Sequence, residues 1–350
     1  MTAVTASSEE NYNSKIGTRR WLLLGIAFLT STLYAMTLLV VSVILPQIQG
    51  SLSATPDQIA WTVTFNILAT AIVTPISGWL AGRFGSRNVL LFCMGGFGIS
   101  SLACGFATSL EMLVFFRILQ GGLGAPLVPL PQAVVLAAFP RSQHAMATSI
   151  YGMGVVLGPV LGPVYGGYLA ELYGWRSAFF MIAPMAMAIF VGIYVLIPKD
   201  TNRVSTRFTW FGFLALATAL TCLQLTLDRG QRLDWLDSRE IVIEIVIGLL
   251  AFGIFIAHNL LARAPLLDFR HLQNWNYVLG LLIVTVYGML NFTPMVMLPP
   301  MLKDLGGYPE MIIGTLVSFR GVGAVIGFFI AGWMGKIDPR ITISFGYILW

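Results

Sequence analysis

Ten apolar stretches lie near residues 21–45, 59–81, 89–109, 112–136, 146–169, 177–197, 210–227, 241–262, 276–302 and 311–334. About 20 mainly apolar residues suffice for one helical crossing of a bilayer. No other feature limits the fold so tightly. Inside lipid every backbone N–H and C=O must be satisfied within the chain, so stretches of this length form helices. Composition points the same way: 57% of residues are hydrophobic and 10% charged, against about 25% charged in soluble domains. So few charges cannot cover a surface that faces water. A soluble enzyme, a secreted scaffold and a disordered tail are excluded. The expected class is an all-α integral membrane protein, and the ten stretches are numbered here as spans 1 to 10. A further apolar run begins at Ile341 and stops at Trp350. It is read as the start of an eleventh span in a truncated second half.

Charge gives the orientation. Thirteen of the 20 Lys and Arg residues fall in loops on the side that holds the N-terminus, among them Arg19, Arg83, Arg87 and Arg141. Five, including Arg176 and Arg232, lie opposite, and Arg117 and Arg320 fall within spans. The positive-inside rule then places the N-terminus in the cytoplasm. Residues 1–20 form a cytoplasmic tail whose polar first part, 1–14, is expected to be disordered. The net charge of +5 comes from these short loop clusters, so topology explains it and no nucleic-acid partner is implied. Cys93, Cys104 and Cys222 all fall inside apolar runs, which gives neither a disulfide framework nor a metal site. With no extramembrane domain, phosphate loop or catalytic dyad, neither an enzyme nor a cofactor is expected.

The chain repeats itself. At a constant offset of 254, residues 59–79 and 313–333 share Ile59/Ile313, Val63/Val317, Phe65/Phe319, Ile72/Ile326, Ile76/Ile330, Gly78/Gly332 and Trp79/Trp333. Span 10 thus corresponds to span 2, and span 9 to span 1. Residues 21–199 form a six-span unit. Residues 200–264 add a cytoplasmic linker and two inserted spans, 7 and 8. Residues 265–350 begin a second unit.

Three motifs stand on this frame. Between spans 2 and 3, Gly78, Gly82, Arg83, Gly85 and Arg87 suit a tight turn with cations for helix C-termini, lipid phosphates or acidic partners. Read plainly, they are basic topogenic residues in a short loop. In span 4, Arg117, Gln120, Gly121 and Gly124 share one helix face. An arginine within a span must find a partner, a watery cavity or the interface by snorkelling. Intramembrane charge favours a site over snorkelling. In span 5, Gly154, Gly158, Gly162 and Gly166 recur every four residues with Pro159, Pro163 and Gly167 among them. A small-residue stripe admits another helix closely, and the prolines should bend their own.

The three motifs in order resemble the loop, span-4 and span-5 signatures of the major facilitator superfamily. With two extra spans between the halves, they resemble its fourteen-span drug:proton antiporters of the EmrB/QacA type. The resemblance covers about Leu33 to Trp350. It implies a major facilitator fold in an inner membrane and export of small amphipathic organic compounds by alternating access. It also implies a substrate site between the halves. In two-membrane bacteria it implies a periplasmic adaptor and an outer-membrane channel as partners, besides membrane lipid. Two departures matter. Gly82 stands where the family's loop has an aspartate, and Thr37 stands where span 1 usually carries one. No acidic residue lies deep in spans 1–6, so coupling would need a peripheral acid, the remainder of the second half, or no proton. Asn66 and its repeat equivalent Arg320, with Asn291 in span 9, are further candidate cavity residues. Each of these is as compatible with an interhelical hydrogen bond. An uptake or metabolite-specific carrier, or a non-transporting membrane remnant, are the rival readings.

Overall fold

A computed structural model describes residues 2–199, 208–262, 265–267, 269–333 and 346. The linker at 200–207 and nearly all of the run from Ile341 lie outside the described residues.

Every expected span is helical. Span 1 is α1, Thr2–Leu52. Its helix reaches back through residues 2–14, where disorder was expected. Once a span has nucleated a helix, each further residue adds one hydrogen bond without a new nucleus. Span 2 starts at a capping box: Thr55 Oγ1 accepts from Gln58 N (3.3 Å), and Gln58 Oε1 accepts from Thr55 N (3.0 Å). It runs as α2, Pro56–Val73, a 3-10 turn at Pro75, and α3, Ser77–Phe84. Pro75 has no N–H for the helical ladder and crowds the preceding turn, which accounts for the break. Span 3 is α4, Ser86–Gly105. Span 4 is α5, Leu110–Gly124, a turn at Pro126, and α6, Pro129–Ala138.

Span 5 is α7, His144–Tyr173, which stays helical through Pro159 and Pro163. Span 6 is α8, Trp175–Phe180, with α9, Ile182–Leu196. Gly85 (φ 87°) and Gly174 (φ 80°) make the α3–α4 and α7–α8 turns, a conformation that only glycine adopts without strain. The inserted spans are α10, Trp210–Arg229, and α11, Arg239–Leu261. They are followed by α12, Trp275–Gly306, and α13, Glu310–Trp333. Among the described residues, nine helical segments are long and apolar enough to cross a membrane, and α12 contributes a shorter apolar stretch, Trp275–Leu290.

The repeat extends to the helix ends. α1 ends at Leu52 and α12 at Gly306, and 306 less 52 is 254. α2 starts at Pro56 and α13 at Glu310, and 310 less 56 is again 254.

The core of the first bundle sits around α1. Val40, Ile44 and Ile48, one turn apart, are fully buried with Leu90 and Phe97 of α4 and Phe179, Ile182 and Ile193 of span 6. Cross-contacts sort the helix ends onto two sides. Trp21 meets Phe139 edge-on, Arg87 meets Tyr194, and Trp79 meets Phe208 on one side. On the other, Arg176 donates to Ala107 O (3.1 Å) and Arg232 pairs with Asp57 (2.8 Å). The alternation deduced from loop charge is therefore present in the packing.

Candidate functional site

On α5 the residues 117, 120, 121 and 124 are buried, while Ile118 and Leu119 between them are exposed. That stripe directs Arg117 into the bundle. The side chain is 1% exposed and does not snorkel. Its Nε donates to Thr62 O (3.0 Å) on α2, and its Nη1 to Gln120 Oε1 (2.5 Å) one turn on. Gln120 Nε2 donates to Ser101 Oγ (2.7 Å) on α4, and Ser101 donates to Phe97 O (2.7 Å). Asn66 Nδ2 donates to the Arg117 carbonyl (2.8 Å). One turn further along α2, Thr70 donates to Asn66 O (2.9 Å) and Gly121 O (3.2 Å), and it shares a 2.7 Å hydrogen bond with the Tyr34 hydroxyl of α1. One polar network therefore joins spans 1 to 4.

The glycines of the motif make room for it. A Cβ on Gly121 would stand 2.2 Å from Asn66 O, and one on Gly124 would stand 2.1 Å from the Tyr34 ring. The network is unusual in its charge balance. No ion pair to Arg117 is present among the described residues, and its Nη2 and Asn66 Oδ1 are buried without a hydrogen-bond partner. Among the described residues, the charge is thus held inside the bundle by one backbone carbonyl and one side-chain amide. Such an arrangement is costly to keep. Chemically it offers an unsatisfied guanidinium N–H to any acceptor that enters or forms beside it.

The span-5 stripe does something different. A Cβ on Gly158 would lie 2.6 Å from Ala35 Cβ, 2.6 Å from Met36 N and 2.7 Å from Thr32 O. On Gly162 it would lie 2.6 Å from Met36 O, and on Gly166 3.0 Å from Val40 O. Gly154 faces Phe28 and accepts from Thr32 Oγ1 (2.8 Å) through its carbonyl. Pro159, Pro163 and Gly167 are buried on the same helix. α7 thus lies backbone against backbone on α1. Its other side holds α13, where a Cβ on Gly314 would stand 2.5 Å from Pro163 O and one on Gly321 would collide with Val160. The glycines of span 10 thus seat on span 5, close to the two prolines. Asn291 falls on α12 and Arg320 on α13, but their side chains lie outside the described residues.

In the loop, Arg87 donates to Tyr194 O (2.5 Å), and its guanidinium carbon stands 4.7 Å from the Tyr194 ring centre. The turn between spans 2 and 3 is thereby tied to the end of span 6. Arg83 is exposed, with its guanidinium carbon 6.0 Å from the Phe84 ring. Gly82 is half-buried, and Gly78 has open space about its Cα.

Sequence reasoning missed one group: Thr62, Thr70, Ser101 and Tyr34 complete the network, and the only sequence signal was hydroxyls inside apolar runs. The peripheral acids lie at the ends of the inserted spans. Asp228 accepts from Thr64 of span 2 (2.8 Å), and Arg229 pairs with Glu244 and Glu240. They clasp the inserted pair to itself and to span 2. The family's acidic position in span 1 is filled by a hydroxyl engaged locally: buried Thr37 donates to Leu33 O (2.8 Å).

Comparison with known proteins bears on this arrangement. Residues 23–350 match the family model described as Major Facilitator Superfamily. The chain belongs to that superfamily. It is 32% identical over 313 residues to the multidrug export protein EmrB of Escherichia coli K12, covering 89% of this chain and 61% of that one. It is 30% identical over 311 residues to the fatty acid resistance protein FarB of Neisseria gonorrhoeae, covering 88% and 61%. It is 28% identical over 345 residues to a multidrug resistance protein B homologue of Mycobacterium tuberculosis, covering 98% and 64%. The chain therefore spans somewhat over three-fifths of the length of these relatives. Among solved structures, a D-xylose–proton symporter superposes with a TM-score of 0.59 at 15% identity, over 90% of this chain and 69% of that one. The architecture is that of a major facilitator, all-helical and multi-pass.

Proposed function

We propose that this chain carries the first bundle and the beginning of the second of an inner-membrane secondary exporter. Its cargo would be small amphipathic organic compounds, moved by alternating access. Residues 21–199 act as one moving unit, 200–264 as the inserted pair with its linker, and 265–350 as the start of the second. The observation that carries the reading is the glycine and proline face of α7, seated between α1 of the first unit and α13 of the second. Alternating access needs one repeat to rock against another around a central site, and this seam joins the two. Arg117, with Gln120, Asn66, Arg320 and Asn291, is proposed to serve coupling or substrate contact. Gly78, Gly82, Arg83, Gly85 and Arg87 form the gating loop. The molecule works as a transporter rather than an enzyme. Where there are two membranes, a periplasmic adaptor and an outer-membrane channel would complete the export path.

The test is efflux of a fluorescent amphipathic cation from energised cells lacking their own pumps. A version extended to the length of the relatives should lower accumulation, and an uncoupler should abolish the difference. Accumulation equal to that of the empty vector would remove the export reading. The span-1 hydroxyl at Thr37 favours one alternative, a carrier that imports or exchanges a metabolite. Energy-dependent uptake in the same assay would establish it.

The N-terminus is proposed to be cytoplasmic. Cysteines introduced at Ser14 and Arg141, in a background without the three native thiols, should resist an impermeant thiol reagent in intact cells and react after lysis. A cysteine at Arg232 should react in intact cells. The reversed pattern would invert the topology.

A further inference from the structure

Beside the loop between spans 2 and 3 lies an apolar groove of about 780 Å³ walled by α2, α3, α4 and α5. Leu80, Phe84, Val89, Phe92, Leu119 and Leu123 are among the residues that line it. Along span 2 it runs from Ala69 to Phe84. At 1.5 Å per residue that is about 22 Å, more than the roughly 15 Å of one leaflet's hydrocarbon. Phe92 is 72% exposed and Leu119 40%, so the groove opens sideways, where a membrane protein meets lipid. One end of the groove lies at Ala69 and Pro126, near the middle of spans 2 and 4. Its mouth is at Phe84 and Asn88, on the side where the basic residues gather.

Charge at that mouth is unbalanced. Arg87 is committed to the carbonyl and ring of Tyr194. Arg83 is exposed, stands beside the groove-lining Phe84 ring, and forms no ion pair among the described residues. No carboxylate occupies the loop, whose sequence from Gly78 to Asn88 is Gly-Trp-Leu-Ala-Gly-Arg-Phe-Gly-Ser-Arg-Asn. An apolar channel as long as a leaflet, with a free cation at its interfacial end, matches one kind of molecule in both parts. We infer that the groove holds an acyl chain of an anionic phospholipid whose phosphate lies on Arg83. Anionic lipids and basic side chains meet at the cytoplasmic surface, and the acyl chain fills space that α3 and α4 leave open. The site would exist whichever compounds the bundle carries.

The 350-residue chain, reconstituted with equimolar phosphatidylglycerol and phosphatidylcholine, can be examined by native mass spectrometry for lipid retained after delipidation. Phosphatidylglycerol should be retained in preference. Arg83→Gln should reduce that preference by about fivefold, the weight of one basic side chain at an anionic surface, and Arg83→Lys should restore most of it. Leu119→Trp, which fills the groove, should reduce retention of both lipids, and Phe92→Ala, which widens it, should not. Equal retention of the two lipids by the parent chain would overturn the proposal. So would retention unaffected by Leu119→Trp in a protein with unchanged helical content. Displacement of the lipid by an amphipathic cation with no effect of Arg83→Gln would assign the groove to substrate instead.

Discussion

Arg117→Met in a version extended to the length of the relatives should abolish export while leaving the folded protein at least as stable as its parent. The two halves of this expectation come from one observation. Arg117 is fully buried, its Nη2 has no partner, and its bonds go only to Thr62 O and Gln120 Oε1. A charge kept among neutral acceptors gives back little of its desolvation cost, which is several kcal/mol even after relaxation. An apolar side chain of similar length removes that cost, offset by about 1–3 kcal/mol for the Gln120 acceptor left unpaired. Residues retained against stability are characteristic of functional positions. Arg117→Lys keeps the charge but, as a compact point donor, cannot bridge Thr62 and Gln120 with the same fork. It should retain part of the activity. Efflux and thermal melting on matched samples check both. Parental efflux by Arg117→Met at equal abundance would end the functional reading. A loss of several degrees in melting temperature would make the network structural.

The second large effect concerns the span-5 seam. Gly158→Val should prevent stable insertion or lower the melting temperature severely, whereas Gly78→Val should be near neutral in stability. At Gly158 the new Cβ would lie 2.6 Å from Met36 N and 2.7 Å from Thr32 O. These are backbone atoms of α1 and cannot rotate away. Overpacking costs typically about 1–3 kcal/mol even where side chains can yield, and here they cannot. At Gly78 nothing stands within 4 Å. Fluorescence-detected size exclusion after a heat series separates the two. Equal behaviour of both variants would mean that α1 and α7 do not touch along this face.

The spans were legible because lipid leaves the backbone no choice: length and apolarity alone place α4, α7 and α11 within a few residues of where hydropathy puts them. The repeat was legible from the residue identities at a constant offset, and the helix ends at Leu52/Gly306 and Pro56/Glu310 reproduce that offset. What hydropathy cannot show is which way a polar atom inside a span faces. Asn66 read equally as a cavity residue and as an interhelical hydrogen bond; its Nδ2 donates to the Arg117 carbonyl, while its Oδ1 is buried without a partner. Ser101 gave no signal, because a serine that bonds its own helix and one that also receives Gln120 read alike in one sequence. The breaks at Pro75 and Pro126 were readable in principle from proline chemistry. Pro159 and Pro163 carry the same chemistry and interrupt nothing, since neighbouring backbone at Gly158, Gly162 and Gly314 packs the helix in place.

Helices that interlock do so by ridges of side chains set into grooves, and such teeth resist being slid because each must climb out of its socket. Between the two units, the seam of α7 and α13 carries few teeth: Gly314 brings main chain against the Pro163 carbonyl, Val160 meets Gly321, and the Phe328 ring meets Gly152. A joint of this kind is smooth. Few rotamers need to change for one surface to pass over the other, so the barrier to relative movement is low even though the contact is close. In the proposed rocking of one unit against the other, close fit and easy passage would be reconciled by the side chains left out at Gly314 and Gly321.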